Sequence, residues 1–408
     1  MTIKKTTAFP SSLAQGQSGV SLIELMIALV IAGLLALGLV QIFGASKTTS
    51  DMQEGLSRVQ ENGRFATQFL QRQLRMVGFM GCGADTGRDT QATFVNHLAT
   101  FPGDAVPGGN KFRFQRQMEA YTQGTMTAPT ELSGLTNMVE GSDVLILRIF
   151  SEESTPVVSI SKTDNDLSLY VGEPDAPFLP APGNNVLLGL QNCRSADVFV
   201  GSLSGTTAGS SVDVAGASNG NVYLDPSVSN CGTAPCPWDF RISNAFLNAK
   251  PLVGDASLNA EVHRAEYYAL FVRSAVPGGV PSLWLQRFDR DGIDLHAPEE
   301  LVEGVENMQL RFGVDTSADP DGAIDEYRNA EDVVDGEADP VALDDNWRRV
   351  LSVRVALLLR SPARAGVPTG SRTFRLIDTD VTPLETNDGA IREVYDTTIA
   401  LRNRLFNS

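Results

Sequence analysis

Gly19-Val20-Ser21-Leu22-Ile23-Glu24-Leu25 opens an apolar run, VSLIELMIALVIAGLLALGLVQIF, that reaches from Val20 to Phe43. Its one charge is Glu24, and Ser21 and Gln41 are the other polar residues. As a helix this run extends about 36 Å, enough to cross a hydrocarbon core of about 30 Å. Ahead of it lies a polar segment with Lys4 and Lys5 and no acidic residue. Positive charge on that side holds the N-terminus in the cytoplasm and sends the bulk of the chain across the membrane. Three plainer readings fit less well. A cleaved secretory signal ending at Gly44-Ala45-Ser46 would have a shorter apolar region without a charge. An ordinary single-span anchor fits the length but leaves Glu24 unexplained. A buried core helix does not fit apolar residues on every face. A carboxylate inside such a helix costs about 2.5–3.5 kcal/mol on insertion, so Glu24 calls for a partner.

Downstream, Met52, Leu56, Val59, Gly63, Ala66, Leu70, Leu74 and Val77 recur at steps of three and four. Arg58, Glu61, Arg64, Gln68, Arg72 and Arg75 fill the other faces. This is the pattern of an amphipathic helix that lays its stripe on a sheet. No proline lies between Val20 and Met80, so a single helix of about 58 residues is expected. Beyond Gly81, apolar or alternating runs separated by Gly, Pro, Asn and Asp predict strands at Asp143–Phe150, Leu167–Val171, Val186–Leu190, Val198–Val200 and Tyr267–Arg273. Further runs lie at Ser282–Phe288, Val305–Val314, Val350–Leu359 and Thr397–Leu401. Glu173–Gly183 and Gly201–Asn221 read as loops by composition. Asp315–Asp345 holds twelve carboxylates against Arg328 alone and is expected outside the core. Strands and helices do not alternate, which argues against a nucleotide-binding α/β fold. The expected class is α+β: one long N-terminal helix packed on an antiparallel sheet, with an additional β region.

The chain has 408 residues, 42% of them hydrophobic, so it can bury a sizeable core. Its formal net charge of -17 repels phosphate backbones, and no basic stripe offsets it, so nucleic acid is not an expected partner. Behind an export signal, four cysteines favour disulfides. Cys231 and Cys236 lie in a Gly/Pro loop and suit a local bridge, leaving Cys82 and Cys193 for a second. Four cysteines allow three pairings, which sequence does not separate.

Catalytic patterns are weak. His97, His263 and His296 show no metal-ligand spacing and are read as structural or exposed. Gly216-Ala-Ser-Asn-Gly220 matches the nucleophile-elbow pattern only literally, since a strand rather than a helix is expected after it. No phosphate-binding GxxxxGK[ST] occurs. The one candidate ligand site is the acidic loop, where Asp315, Asp319, Asp321 and Asp325 surround Gly322 and offer oxygen ligands to calcium. An EF-hand is excluded, because Arg328 falls where its bidentate glutamate belongs.

Gly19 to Leu25 resembles the prepilin signature of type IV pilins and type II secretion pseudopilins. The resemblance implies that a membrane aspartyl peptidase cuts between Gly19 and Val20 and methylates the new amino terminus on Val20, where phenylalanine or methionine is usual. Glu24 would become the fifth mature residue and pair with the terminal amine of a neighbouring subunit, the partner its burial demands. Four further stretches resemble the PilW family of minor pilins: Arg72–Cys82, Glu300–Asp315, Val350–Arg360 and Ile399–Arg404. The implied organisation is a leader (1–19), a membrane-spanning, polymerising half-helix (20–44), an amphipathic half (45–80) and a periplasmic β-rich head (81–408). The implied function is non-enzymatic: a minor pilin of a tip complex that helps start pilus assembly and supports piliation and twitching motility. Expected partners are other minor pilins, the major pilin, the inner-membrane assembly platform and the prepilin peptidase, with a tip adhesin as a further candidate. The expected location is the inner membrane, single-pass, and then the pilus. A type II secretion pseudopilin is the alternative within the superfamily, and a membrane-tethered periplasmic enzyme the alternative outside it. No cofactor is expected beyond the calcium candidate.

Overall fold

The computed structural model describes residues 19–80, 83–84, 93–96, 113–127, 132, 135–163, 166–179, 181–182, 184–191, 195–207, 210–215, 260–288, 297–337, 339–361, 372–383, 385 and 388–405. The N-terminal helix runs unbroken over Leu22–Arg75, 54 residues. It ends where Gly78 takes φ +82, a left-handed backbone that suits glycine. About 50 Å separate Leu22 from Gly55, the first buried residue of the helix, at about 1.5 Å per residue, so the head touches only the second half.

Gly55, Val59, Gly63, Ala66, Leu70 and Leu74 form the buried stripe. The stripe therefore follows the expected spacing, with one shift at its upper end. Gly55 is buried while Met52 and Leu56 remain 40% exposed, because the sheet does not extend beneath them. Each large aliphatic side chain fully buried here contributes about 1.5–3 kcal/mol.

The stripe lies on a four-stranded antiparallel sheet ordered Glu326–Arg328, Val305–Val314, Val350–Arg360 and Arg392–Ala400. Val353, Val355, Leu357 and Leu359 face the core beneath the helix, whereas Ala356 and Leu358 face a hairpin of Phe374–Leu376 and Thr379–Val381. Burial on both faces explains why this strand is apolar almost throughout rather than alternating. The same core is shared with a larger sheet through Met118, Leu145, Leu147, Tyr268, Leu270, Leu283 and Leu285.

The larger sheet contains the additional β region. Its strands Asp143–Thr163, Asp166–Val171, Ser211–Ala215, Ser195–Leu203, Asn185–Gln191 and Glu261–Ser274 pair in that order, and the last pairs back to the first. The pairings close a six-stranded antiparallel barrel. One cluster draws on all six strands through Val157, Leu169, Val212, Phe199, Leu188 and Val262, so side chains fill the interior.

Two expectations are corrected. Gly201–Asn221 is not wholly loop: the strand before it runs to Leu203, and Ser211–Ala215 is a barrel strand. Asp315–Asp345 does reach the core. Ala330, Val333 and Asp344 are buried on the helices Ala330–Val334 and Pro340–Arg348, whose other faces carry exposed carboxylates. Asp315 is itself only 1% exposed.

Candidate assembly site: the N-terminal helix and its clamp

Gly19 and Val20 precede the helix and are exposed. Ser21 is the N-cap, in extended conformation, and its Oγ accepts from the Glu24 amide at 3.2 Å. Ser21 and Glu24 thus stand at capping-box spacing, a pattern overlooked in the sequence although it is legible there. The carboxylate of Glu24 lies in the first turn, where the positive end of the helix dipole favours it.

From Val20 to Phe43 every large apolar side chain is more than half exposed, including Leu22, Leu34 and Phe43. This helix is long and apolar enough to cross a membrane, and none of its most apolar window is buried against the protein. Lipid or other protein must cover it. Glu24 sits on that uncovered surface, and among the described residues no Lys, Arg or His forms an ion pair with it.

The lower half is held by polar contacts at the margins of the stripe. Asn62 Nδ2 donates to the Glu303 carbonyl at 3.0 Å, and the Tyr268 hydroxyl donates to Gln73 Oε1 at 2.5 Å. At the helix end Asn403 Nδ2 donates to the carbonyls of Arg75, at 2.9 Å, and Val77, at 3.2 Å. The Gly78 amide donates to Gln117 Oε1. A Cβ at Gly78 would lie 3.0 Å from Asn403 Cβ and 3.1 Å from Arg404 Cγ. Arg404, 3% exposed, donates to the carbonyls of Trp347 and Val350. The clamp therefore joins Arg72–Cys82 to Ile399–Arg404, stretches more than 300 residues apart in the chain. The other two PilW-like stretches, Glu300–Asp315 and Val350–Arg360, supply the sheet between them.

In the acidic loop three of the four carboxylates accept from the loop's own backbone. Asp315 accepts from the amides of Ser317 and Gly322, Asp321 from Ala323, and Asp325 from the amide and hydroxyl of Thr316. These bonds, chiefly from Thr316, hold the Asp325 carboxyl below its usual range. Among the described residues no group of three or more His, Cys, Asp or Glu is placed to hold a metal ion. Cys82, Cys193, Cys231, Cys236, His97, His296 and the Gly216–Gly220 pattern lie outside the described residues. His263 is structural: it is buried, its Nδ1 lies 2.9 Å from the Ser151 carbonyl and its Nε2 2.9 Å from Gln191 Nε2. Burial pushes its pKa down and keeps the ring neutral.

A cavity of about 370 Å³ lies between Met118–Thr122 and the two acidic helices, lined by Arg116, Glu119, Met126, Val334 and Trp347. Its buried charged groups are spent on one another and on their neighbours. Arg116 bonds Asp344 and Glu119, and Arg148 bonds Glu119. Burial pushes the Glu119 carboxyl up, and Arg148 and Arg116 more than reverse that, holding it ionised.

Comparison with known families matches residues 269–403 to the Type IV Pilus-assembly protein W profile and residues 15–40 to the Prokaryotic N-terminal methylation motif. No curated protein and no solved structure matches the chain. The first match covers most of the strands that carry the helix and stops at the clamp residue Asn403, and it leaves most of the barrel outside. Together the two matches, over about a third of the chain and its N-terminal segment, make it similar to type IV pilus-related minor pilins.

Proposed function

We propose that this chain is a minor pilin that helps initiate type IV pilus assembly within a tip complex, and so supports piliation and twitching. The observation that carries the reading is Glu24, a lone carboxylate at the start of a helix whose apolar first half the head leaves uncovered. In a membrane that charge is costly alone, and a neighbouring subunit's amino terminus offsets it only on stacking. Storage in the inner membrane and extraction into a filament then use the same surface. The head stands on the periplasmic side, with the leader removed between Gly19 and Val20 and methylation on Val20. Partners are other minor pilins, the major pilin, the assembly platform and the prepilin peptidase, with an adhesin at the tip. The PilW match favours the pilus over type II secretion.

The test is Glu24→Ala in a piliated strain. Cleavage and membrane insertion should stay normal, because neither uses the pairing, while incorporation into sheared pili falls. Wild-type piliation and twitching with this variant would remove the assembly role from Glu24.

A further inference from the structure

We propose that Arg392–Ala400 is an open sheet edge that accepts an extended segment of a different subunit as an added strand. On one side this strand pairs residue for residue with Val350–Arg360, from Arg392 opposite Arg360 to Ala400 opposite Ser352, without a bulge. On the other side no strand pairs with it among the described residues, and it terminates the four-stranded sheet. Nine residues present about 30 Å of backbone donors and acceptors.

The rest of the head handles its edges differently. Six strands close into the barrel and have no edge there. The outer side of Val305–Val314 is met by Glu326–Arg328 and by side chains: Ser142 Oγ accepts from the Met308 amide at 3.1 Å and Asp143 Oδ2 from the Leu310 amide at 2.7 Å. Glu299–Glu303 is short, and its Glu303 carbonyl accepts from Asn62 on the helix. Arg392–Ala400 carries no proline, no lysine and no bulge, three of the devices that blunt an edge. Two of its three charges are paired within the head, Arg392 with Glu306 and Asp388 and Asp396 with Arg354, and Glu393 accepts from the Tyr395 hydroxyl. An incoming strand would find apolar neighbours on both faces, Tyr395 and Ile399 on the helix side and Val394 on the hairpin side.

The occupant is a different chain rather than a second copy. Antiparallel pairing of this strand with itself over its full length sets Asp396 directly opposite Asp396, a destabilising like-charge pair. The proposal rests on the pilin reading for where that chain is found, in the assembled pilus.

In an antiparallel strand successive amides point to opposite edges, so one of Thr397 and Thr398 turns its N–H away from Val350–Arg360. Thr397→Pro and Thr398→Pro in the full chain are therefore compared, and the one that keeps the wild-type denaturation midpoint marks the outward amide. A photo-crosslinking residue at position 400, which is exposed, then reports the neighbour in assembled pili. The expected result is an adduct to one peptide of a different subunit, reduced about tenfold or more in the stable proline variant, since that variant deletes a donor and bars the added strand. An adduct that the stable proline variant leaves unchanged overturns the proposal, as does a homodimeric adduct or none. Failure of the pilin reading looks different: the wild-type chain would then be missing from the sheared pili altogether.

Discussion

Gly63 offers the sharpest test of how the helix is docked. A Cβ at this position would lie 2.5 Å from Cε2 and 2.6 Å from Cε1 of the Tyr395 ring. Carbon atoms in contact prefer about 3.5–4.0 Å, so the ring would have to retreat by about 1 Å or more. Tyr395 is held there by the helix and by its hydroxyl, which donates to Glu393 Oε2 at 3.2 Å. Burial and the Glu393 charge push its phenol pKa up to about 12. On a free helix face Gly→Ala stabilises by about 1 kcal/mol. Here overpacking costs about 1–3 kcal/mol and offsets or exceeds that gain, so Gly63→Ala should destabilise by up to about 2 kcal/mol. With the ring removed first, in Tyr395→Ala, the added methyl meets no obstacle and Gly63→Ala should stabilise. The sign reversal is the prediction, with a coupling energy of about 1–3 kcal/mol. Denaturant titration of the full chain in detergent, followed by tryptophan fluorescence, measures all four corners of the cycle. Stabilisation by Gly63→Ala in both backgrounds would refute the close helix–ring contact.

Two further outcomes test the core and the clamp. Burial pushes the Asp143 carboxyl up to about 6 from 3.8, against bonds from Thr122 and Leu310 that favour the ionised form. The folded state therefore holds that proton more tightly than the unfolded chain. Its stabilising contribution is complete below about pH 4 and is lost as pH rises to about 6, by about 3 kcal/mol. Asp143→Asn should remove this downward contribution from the variant's stability curve, so its difference from wild type changes across pH 4–6, and parallel curves there would contradict it. Asn403→Ala should lose the caps on Arg75 and Val77 at a cost of about 0.5–2 kcal/mol, read as a lower denaturation midpoint. An unchanged midpoint would show that the clamp does not hold the helix end.

The sequence revealed most where a pattern repeats within one element. The helix was legible from an unbroken apolar run followed by a three-four stripe, and its observed end at Arg75 falls short of the expected one because Gly78 turns the chain. Val305–Val314 was legible at its observed bounds, since Met308, Leu310, Phe312 and Val314 alternate along its core face. Closure of the barrel was not legible: it depends on Glu261–Ser274 pairing with both Asn185–Gln191 and Asp143–Thr163, contacts between distant parts of the chain that leave no local signature. The acidic segment misled because composition averages over faces, and Val333 and Trp347 reach the core beneath carboxylates that stay in water. At the site, Gly19, Val20 and Glu24 stood out as a motif, whereas the clamp of Asn403 and Arg404 on the helix end requires the fold to bring residues 75 and 403 together.

The account stands most directly on where the mature chain begins. Intact mass and N-terminal sequencing of the full protein, extracted from membranes of a strain with an active prepilin peptidase, should give a single amino terminus at Val20 carrying one methyl group. A chain beginning at Met1 in that strain, or at Ser46 after signal-type cleavage, would contradict it.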